Sequence, residues 1–348
     1  MNLCTLFDSN YIDRALVMYD SLKSSCDSFT LYVIAFDDKC YNTLTELNLP
    51  GMVITSYDEF EDDILREAKS NRSTREFLWT CSGYSIRYLM VKYALNDLTY
   101  IDSDLYFYAS PEPALQKFLV SDCDAAIISH RYSKHPENEY NAKMYGQYCV
   151  QFNTFKNTPN GMTILNWWID KCLECCTENA TDELFGDQKY LDMFTSLFTG
   201  VYIYEDFGMG IAPWNVDEYV GASETPESKD ARIYAKNTRS GESGSIIFYH
   251  FHSLDIFADG SSNIRVFIRP GHHDRKLIDL LYKPYIQKII EKRAFLRQNY
   301  GLFDPSAQPS GQIIHEGELK MFLTCEPSLL FLVRKIWRYM LHKKKDYL

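Results

Sequence analysis

The chain has 348 residues, which is more than one compact core usually holds, so we expect one large domain with an appendage, or two domains. The formal net charge of −11 disfavours nucleic acid as the main partner. The 26 Tyr and 21 Phe fit either a thick aromatic core or a surface that stacks on bases and sugars.

The first half of the chain alternates between apolar strands and amphipathic helices. Strands are expected at residues 2–7, 29–36 and 52–56, and helices at 12–22 and 40–49. This alternation predicts an α/β fold with a mixed, mostly parallel sheet flanked by helices. Ligands bind at the carboxyl ends of such strands, so Asp8, Asn10 and Tyr11, which follow the first strand, are candidate ligand-binding residues.

Two acids lie between apolar segments at residues 98–108. Asp102 and Asp104 flank Ser103, with an apolar strand before them and Leu-Tyr-Phe-Tyr after them. Buried carboxylates need a partner, and hard divalent cations take carboxylate oxygens while keeping positions open for phosphate. We hypothesise that the pair holds Mn²⁺ or Mg²⁺ that carries the diphosphate of a nucleotide sugar. The alternative is a strand-end turn with solvated carboxylates.

Further polar residues occur at the ends of predicted elements later in the chain. Asn153 lies in an apolar strand at 149–155, and Asp187 and Gln188 open a helix. His250 and His252 follow a strand at 245–249, where alternation puts both side chains on one face. Residues 132–148 and 223–242 are polar and are expected to be a substrate loop and a surface excursion, respectively.

The ten cysteines are scattered, and several lie inside apolar runs as small core residues. Cys172, Cys175 and Cys176 resemble half of a metal or redox motif, but no second pair or nearby His completes a zinc site, so we interpret them as one face of a helix. This cysteine usage, the strand pattern at the N-terminus and the lack of a long apolar run predict a cytoplasmic protein in a reducing compartment.

The last residues form a distinct basic segment. Apolar residues and Trp337 alternate with Lys and Arg over residues 327–348, as is typical of an amphipathic helix at an anionic membrane surface; the alternative is a helix packed on the main domain. We predict a catalytic domain at 1–255, a helical extension packed on it at 256–305, and a linker with a basic amphipathic helix at 306–348. The protein would then be peripheral at the inner face of the plasma membrane.

The motifs occur in an order that resembles one family. A strand ending in Asp-Ser-Asn-Tyr, Arg87 on the helix before Tyr-Ile-Asp-Ser-Asp, Phe-Asn at 152–153, Gly-Asp-Gln at 186–188 and the strand-end His250 follow one another. This order resembles the metal-dependent glycosyltransferases of the GT-A fold, of the family-eight type that includes glycogenin and bacterial lipooligosaccharide galactosyltransferases. The resemblance covers roughly residues 1–255 and implies a Rossmann-like sheet and a hexosyltransferase activity.

The resemblance implies a role for each matched residue. Asp8 and Asn10 would contact the nucleobase and Tyr11 would stack on it. Arg87 would reach the diphosphate or the donor sugar, together with the Asp102-Ser103-Asp104 turn. The metal ligands would be Asp102, Asp104 and His250, with His252 as a further candidate. Asn153, Asp187 and Gln188 would line the sugar and acceptor side.

The sequence departs from the family pattern at three places. Ser103 replaces the usual Ala, Asn153 is followed by Thr rather than Ser-Gly, and the segment His250-Phe-His252 lacks the Gly and Lys-Pro-Trp that often follow. The last departure leaves open which His binds metal and whether a Lys assists the leaving diphosphate.

Three functions are compatible with these residues. The first is transfer of a sugar from a nucleotide diphosphate sugar, expected to be a UDP-sugar, to a glycan, lipid-linked or protein acceptor, with the Gly-Asp-Gln segment favouring a retaining reaction. The second is a sugar-1-phosphate nucleotidyltransferase, which would need a Gly-rich basic loop that the first strand lacks. The third is a non-catalytic glycan-binding protein, suggested by the aromatic content.

Overall fold

A computed structural model describes residues 1–224, 232–257, 262–264, 266, 274–303 and 320–321. The ten helices in this part of the chain are α1 Ile12–Ser25, α2 Asp38–Leu47, α3 Tyr57–Phe60, α4 Asp63–Lys69, α5 Thr74–Lys92, α6 Glu112–Leu119, α7 Pro136–Tyr145, α8 Pro159–Glu174, α9 Phe194–Leu197 and α10 Arg275–Tyr300. Short 3-10 helices lie at Gln188–Met193 and Val216–Glu218.

The described strands are β1 Asn2–Phe7, β2 Thr30–Ala35, β3 Met52–Ser56, β4 Asp97–Ile101, β5 Leu105–Phe107, β6 Ala125–Ser129, β7 Tyr148–Lys156, β8 Val201–Tyr204, β9 Tyr219–Glu224, β10 Ile233–Asn237, β11 Ser243–Ser245, β12 Phe248–His250, β13 Asp255–Ile256, β14 Ser262–Ile264 and β15 Lys320–Met321. Seven of them form the main sheet in the order β3-β2-β1-β4-β7-β6-β8. Strand β7 runs antiparallel to both of its neighbours, and the other pairs are parallel. The predicted mixed, mostly parallel sheet flanked by helices is confirmed.

The two faces of the sheet bury two separate apolar cores. Strand alternation sends Leu3 and Phe7 of β1 to one face, where they pack with residues of α1 and α2, and sends Cys4 and Leu6 to the other, where they pack with residues of α5 and α8. All four side chains are buried. Helices on both faces are what keep a mostly parallel sheet out of water.

A third apolar cluster attaches the C-terminal helix to the sheet domain. Val17 of α1 packs with Leu281 and Ile289 of α10 and with Tyr249 of β12. The predicted helical appendage is therefore present as α10. The proposed domain boundary near residue 255 stays a prediction.

Two segments contain more regular structure than their polar sequences predict. The expected substrate loop at 132–148 contains α7, which begins at Pro136. The ring nitrogen Nδ1 of His135 caps this helix by accepting a hydrogen bond from the Glu137 backbone amide. The expected surface excursion at 223–242 instead contributes to an antiparallel sheet of β9, β10 and β11. In both, local capping and strand pairing outweigh the polar composition.

The linker and basic helix predicted within 306–348 lie outside the described residues, apart from residues 320–321. Among the residues that the structure does describe, none of the helices combines the length and apolar character needed to cross a bilayer.

Candidate metal centre

Strand pairing brings the acid pair and a distant histidine to one place. Asp102 and Asp104 lie in the turn between β4 and β5. Strand β5 pairs antiparallel with β12, and the register sets His250 opposite Leu105. Backbone hydrogen bonds between β5 and β12 thus bring together residues that are nearly 150 positions apart in the sequence. They place His250 next to Leu105, the residue that follows Asp104.

The ligand atoms of Asp102, Asp104 and His250 lie within 4.8 Å of one another. His250 Nε2 is 3.1 Å from an Asp104 carboxylate oxygen and 3.6 Å from one of Asp102. Within the described part of the chain this is the only such group of three or more His, Cys, Asp or Glu residues. Two carboxylates and one imidazole form a donor set that suits Mn²⁺ or Mg²⁺.

Gln151 holds the imidazole from the other side. Its Oε1 lies 3.0 Å from His250 Nδ1. A carboxamide oxygen only accepts, so Nδ1 carries a hydrogen, and Nε2, the nitrogen that faces the acids, would offer its lone pair to a bound cation. A second group that fixes the tautomer and ring orientation is typical of histidines that bind metals. The residues therefore fit a divalent cation.

The charges of the three groups are strongly coupled. Burial raises the pKa of Asp102 to about 8; the charge of Asp104 adds to this shift and that of His250 opposes it. Burial also acts to raise the pKa of Asp104, but the charge and hydrogen bond of His250 outweigh it and lower this pKa to about 2. Without a cation, the site therefore retains a proton that a divalent metal would displace.

The turn after β1 places Tyr11 near this group. Asp8 accepts hydrogen bonds from the backbone and side-chain amides of Asn10, each at 3.0 Å. Tyr11 is 44% exposed, and the guanidinium carbon of Arg14 lies 4.8 Å from its ring centroid. Burial and the charge of Asp104 raise the pKa of the Tyr11 hydroxyl, so the ring lies within electrostatic reach of the acid pair.

Asp187 and Asn153 are both buried, and Asn153 lies opposite Tyr100 near the end of β4. Burial raises the pKa of Asp187 to about 7, and the charge of Asp187 contributes to the raised pKa of Asp102. Asp187 makes no side-chain capping bond to the 3-10 helix that follows it. Both amide atoms of Asn153 lack a partner among the described residues. The side-chain amide nitrogen of Gln188 donates a hydrogen bond to the Tyr145 backbone carbonyl at 2.7 Å.

Arg87 is not brought into this group by the structure. Its guanidinium donates to Asn166 of α8 at 3.2 Å and lies 4.5 Å from the Tyr84 ring centroid. On α5 the residue that hydrogen-bonds Asp187 is Ser82. Five residues further along, a helix has turned so that Arg87 points about 140° away from Ser82.

His252 is also outside the group of three. Its ring lies edge-on to Trp214, with the centroids 5.6 Å apart, and the same indole is 5.5 Å from His250. His252 is exposed, whereas His250 is 3% exposed. The geometry thus favours His250 of the two histidines as a metal ligand.

Sequence reasoning did not identify Gln151, Arg14 and Trp214. A signal existed for Gln151, because it is a polar residue two positions before Asn153 and alternation puts both on one face of β7. Arg14 and Trp214 carried no such signal, since their position depends on contacts between segments far apart in the chain.

No protein-family model matches the chain. Two Bacillus subtilis proteins are similar to it: the uncharacterized protein YfnD is 29% identical over 290 residues, covering 81% of this chain and 86% of YfnD. The uncharacterized protein YfnF is 26% identical over 307 residues, covering 86% of this chain and 96% of YfnF.

Solved structures similar to the chain include two sugar transferases. Mouse xyloside xylosyltransferase 1 aligns with a TM-score of 0.45 and 13% identity, over 72% of this chain and 97% of the mouse protein. The galactosyltransferase LgtC, in a complex with donor and acceptor sugar analogues, aligns with a TM-score of 0.46 and 12% identity, over 84% of this chain and 96% of LgtC.

Proposed function

We propose that this protein is a metal-dependent glycosyltransferase that moves a sugar from a nucleotide diphosphate sugar to a glycan or lipid-linked acceptor. The observation that carries the proposal is the group of Asp102, Asp104 and His250, with an oriented imidazole, at the carboxyl end of β4. Such a donor set takes a cation that keeps positions open for a diphosphate. The motif order found in the sequence supports a UDP-sugar as the donor.

The chain's own residues account for binding and orientation. Bound Mn²⁺ or Mg²⁺ would neutralise charge on the leaving diphosphate as a Lewis acid. Tyr11, with its half-exposed ring, would stack on the base and contribute binding energy remote from the reacting carbon. Asp8 and Asn10 would both contact the edge of the base. The hydrogen bond from the Asn10 side-chain amide to Asp8 holds the two side chains together in one turn.

Asn153 and Asp187 would orient the donor sugar. The buried Asn153 amide has no protein partner among the described residues, so sugar hydroxyls could satisfy both of its atoms. Asp187, with a pKa raised to about 7, would accept or donate a hydrogen bond near neutral pH. With Gln188 beside it on the acceptor side, this arrangement supports a retaining reaction.

A thermal-shift screen of nucleotide sugars, with and without Mn²⁺, tests the donor class, because a ligand selective for the folded state raises the melting temperature. Donor turnover by the wild type and its loss in the double variant Asp102→Asn, Asp104→Asn are expected. Unchanged turnover in that variant would exclude the proposal. Release of pyrophosphate from a nucleoside triphosphate would favour a nucleotidyltransferase, and absence of donor hydrolysis would favour a glycan-binding protein.

We further propose that the protein works in the cytoplasm at the inner face of the membrane, held there by the basic segment at 327–348. The alternation of Trp337 and apolar residues with Lys and Arg supports this location. Deleting residues 327–348 should release the protein from anionic vesicles in a flotation assay. Unchanged vesicle binding would contradict the anchor without affecting the proposed chemistry.

A further inference from the structure

A buried ion triad joins α10 to α1 next to the metal centre. Asp13 is fully buried, and its carboxylate accepts from Arg293 Nε at 2.6 Å and from the Arg14 backbone amide at 2.7 Å. The Arg14 guanidinium lies 3.4 Å from the same carboxylate. Breaking a buried pair leaves an uncompensated charge, so the three side chains constrain one another's positions.

Arg14 contacts two different parts of the candidate site. Its guanidinium carbon lies over the Tyr11 ring, 4.8 Å from the ring centroid, and its Nη2 donates to the Leu254 carbonyl at 3.0 Å. Leu254 follows His250 by four residues. A single planar cation therefore holds both the aromatic ring after β1 and the backbone that follows the histidine.

Helix α10 reaches the same backbone at two further points. The Tyr285 ring is stacked on Phe251, with centroids 3.6 Å apart and planes 5° apart, and the Phe251 amide donates to the Asp104 carbonyl at 3.1 Å. Arg293 Nη1 donates to the Ile256 carbonyl at 2.6 Å. Residues 251–256 are thus fixed by the helix that also holds Asp13.

We propose that Arg14 is a positioning residue of the donor site and that α10, through Arg293 and Asp13, sets its orientation. This inference rests on the proposed function. Arg14 is 8% exposed while Tyr11 remains 44% exposed, so the guanidinium supports the ring from the buried side and leaves ring surface for a base. A ring held before binding loses less conformational freedom when the donor arrives.

The test uses the full chain with the variants Arg14→Lys and Arg293→Lys. Lysine keeps the charge but lacks the planar fork that makes these contacts together. UDP is titrated calorimetrically in the presence of Mn²⁺, and Mn²⁺ is titrated alone. We expect the UDP affinity to fall about tenfold and the affinity for Mn²⁺ to change less than about twofold, because the three ligand side chains are untouched. Amide hydrogen exchange at residues 8–14 should become faster.

Two matched variants control for a merely structural effect. Lys292→Met removes a partly exposed ion pair, Lys292 Nζ to Asp20 at 2.7 Å, that joins the same two helices. Tyr282→Phe removes a buried hydrogen bond of α10 to Tyr249 without touching the triad. Both should retain wild-type UDP affinity and wild-type exchange at residues 8–14.

Unchanged exchange at residues 8–14 in the two arginine variants would overturn the inference, as would an equal loss of UDP affinity in the control variants. If exchange at these residues becomes faster in the arginine variants but the wild type binds no UDP, the positioning contact is supported and the UDP donor of the proposed function is contradicted. The two failures are therefore distinguishable.

Discussion

His250 has hydrogen-bonding partners on both sides of its ring: the acid pair at Nε2 and Gln151 at Nδ1. Gln151 accepts from Nδ1 at 3.0 Å and so directs Nε2 toward Asp102 and Asp104. The effect of such a group on metal binding is indirect, since it never touches the metal. It can therefore be removed without removing a ligand.

We expect Gln151→Met to weaken Mn²⁺ binding by about 10-fold to 100-fold, the range found when such supporting groups are lost. The substitution keeps the side-chain length but removes the acceptor for Nδ1. Titration of free Mn²⁺ by electron paramagnetic resonance measures the effect. Gln116→Met, the same change at an exposed position on α6, is the control. Equal Mn²⁺ affinity in the two variants would show that Gln151 does not orient the histidine.

A second histidine makes stability depend on pH. His130 is buried against Tyr132 and Trp214, and burial lowers its pKa to about 3. In the unfolded chain its pKa is near 6.5, so between about pH 6.5 and pH 3 the unfolded state binds a proton that the folded state does not. Stability is therefore lost as the pH falls through this window.

We expect that, when the pH is lowered from 7 to 5, protonation of His130 in the unfolded state reduces the free energy of unfolding by about 2 kcal/mol. Urea unfolding of the wild type and of His130→Phe at both pH values measures the contribution. The variant should have a flatter pH dependence, because Phe cannot be protonated in the unfolded state. Parallel curves for the two proteins would rule out His130 as the source.

At the scale of elements, α10 is attached to the sheet domain by two tyrosines with opposite polar environments. The Tyr282 hydroxyl bonds the Tyr249 hydroxyl at 2.9 Å. The Tyr285 hydroxyl is buried and has no hydrogen-bond partner among the described residues. Both rings are buried in the same apolar cluster, so the two positions differ mainly in the hydrogen bond.

We expect Tyr282→Phe to cost about 1 kcal/mol, because it breaks a buried hydrogen bond and leaves Tyr249 unpaired. Tyr285→Phe should leave stability unchanged or raise it, since it removes a buried hydroxyl that no protein group satisfies. Denaturant midpoints of the two single variants give the comparison. Destabilisation of both by the same amount would mean that the Tyr285 hydroxyl has a partner in the folded state.

At the scale of the whole molecule, the Asp102 carboxyl opposes folding at neutral pH when no cation is bound, whereas the lowered pKa of Asp104 favours folding. Burial and repulsion raise the pKa of Asp102 to about 8, well above its unfolded value near 3.9. The folded state thus holds a proton that the unfolded state releases, and the resulting loss of stability develops as the pH rises from about 4 to about 8. A bound cation would reverse this effect.

We therefore expect Asp102→Asn to have a higher melting temperature than the wild type in EDTA at pH 7.5, with the difference growing from pH 5 to pH 8. In Mn²⁺ the order should reverse, because only the wild type gains binding energy from the metal. Differential scanning calorimetry under both conditions provides the measurement. A variant that is less stable than the wild type in EDTA at every pH would contradict the proposed coupling.

The sequence by itself determined the layered α/β architecture and the identity of the two acids. Strand and helix periodicities are local, and an acid pair at the end of an apolar strand is visible without any contact partner. Asp102, Asp104, Tyr11 and Asp187 could all be selected on that basis, because each follows a predicted strand or opens a predicted helix.

The tertiary structure alone decided which distant groups meet. Pairing of β5 with β12 placed His250 beside the acid pair, α5 directed Arg87 to Asn166 of α8, and the packing of α10 on α1 brought Arg293 to Asp13 across 280 residues. These outcomes depend on register, helical phase and long-range packing. Local spacing carries no information about them, because the energies that select them arise only when the segments are in contact.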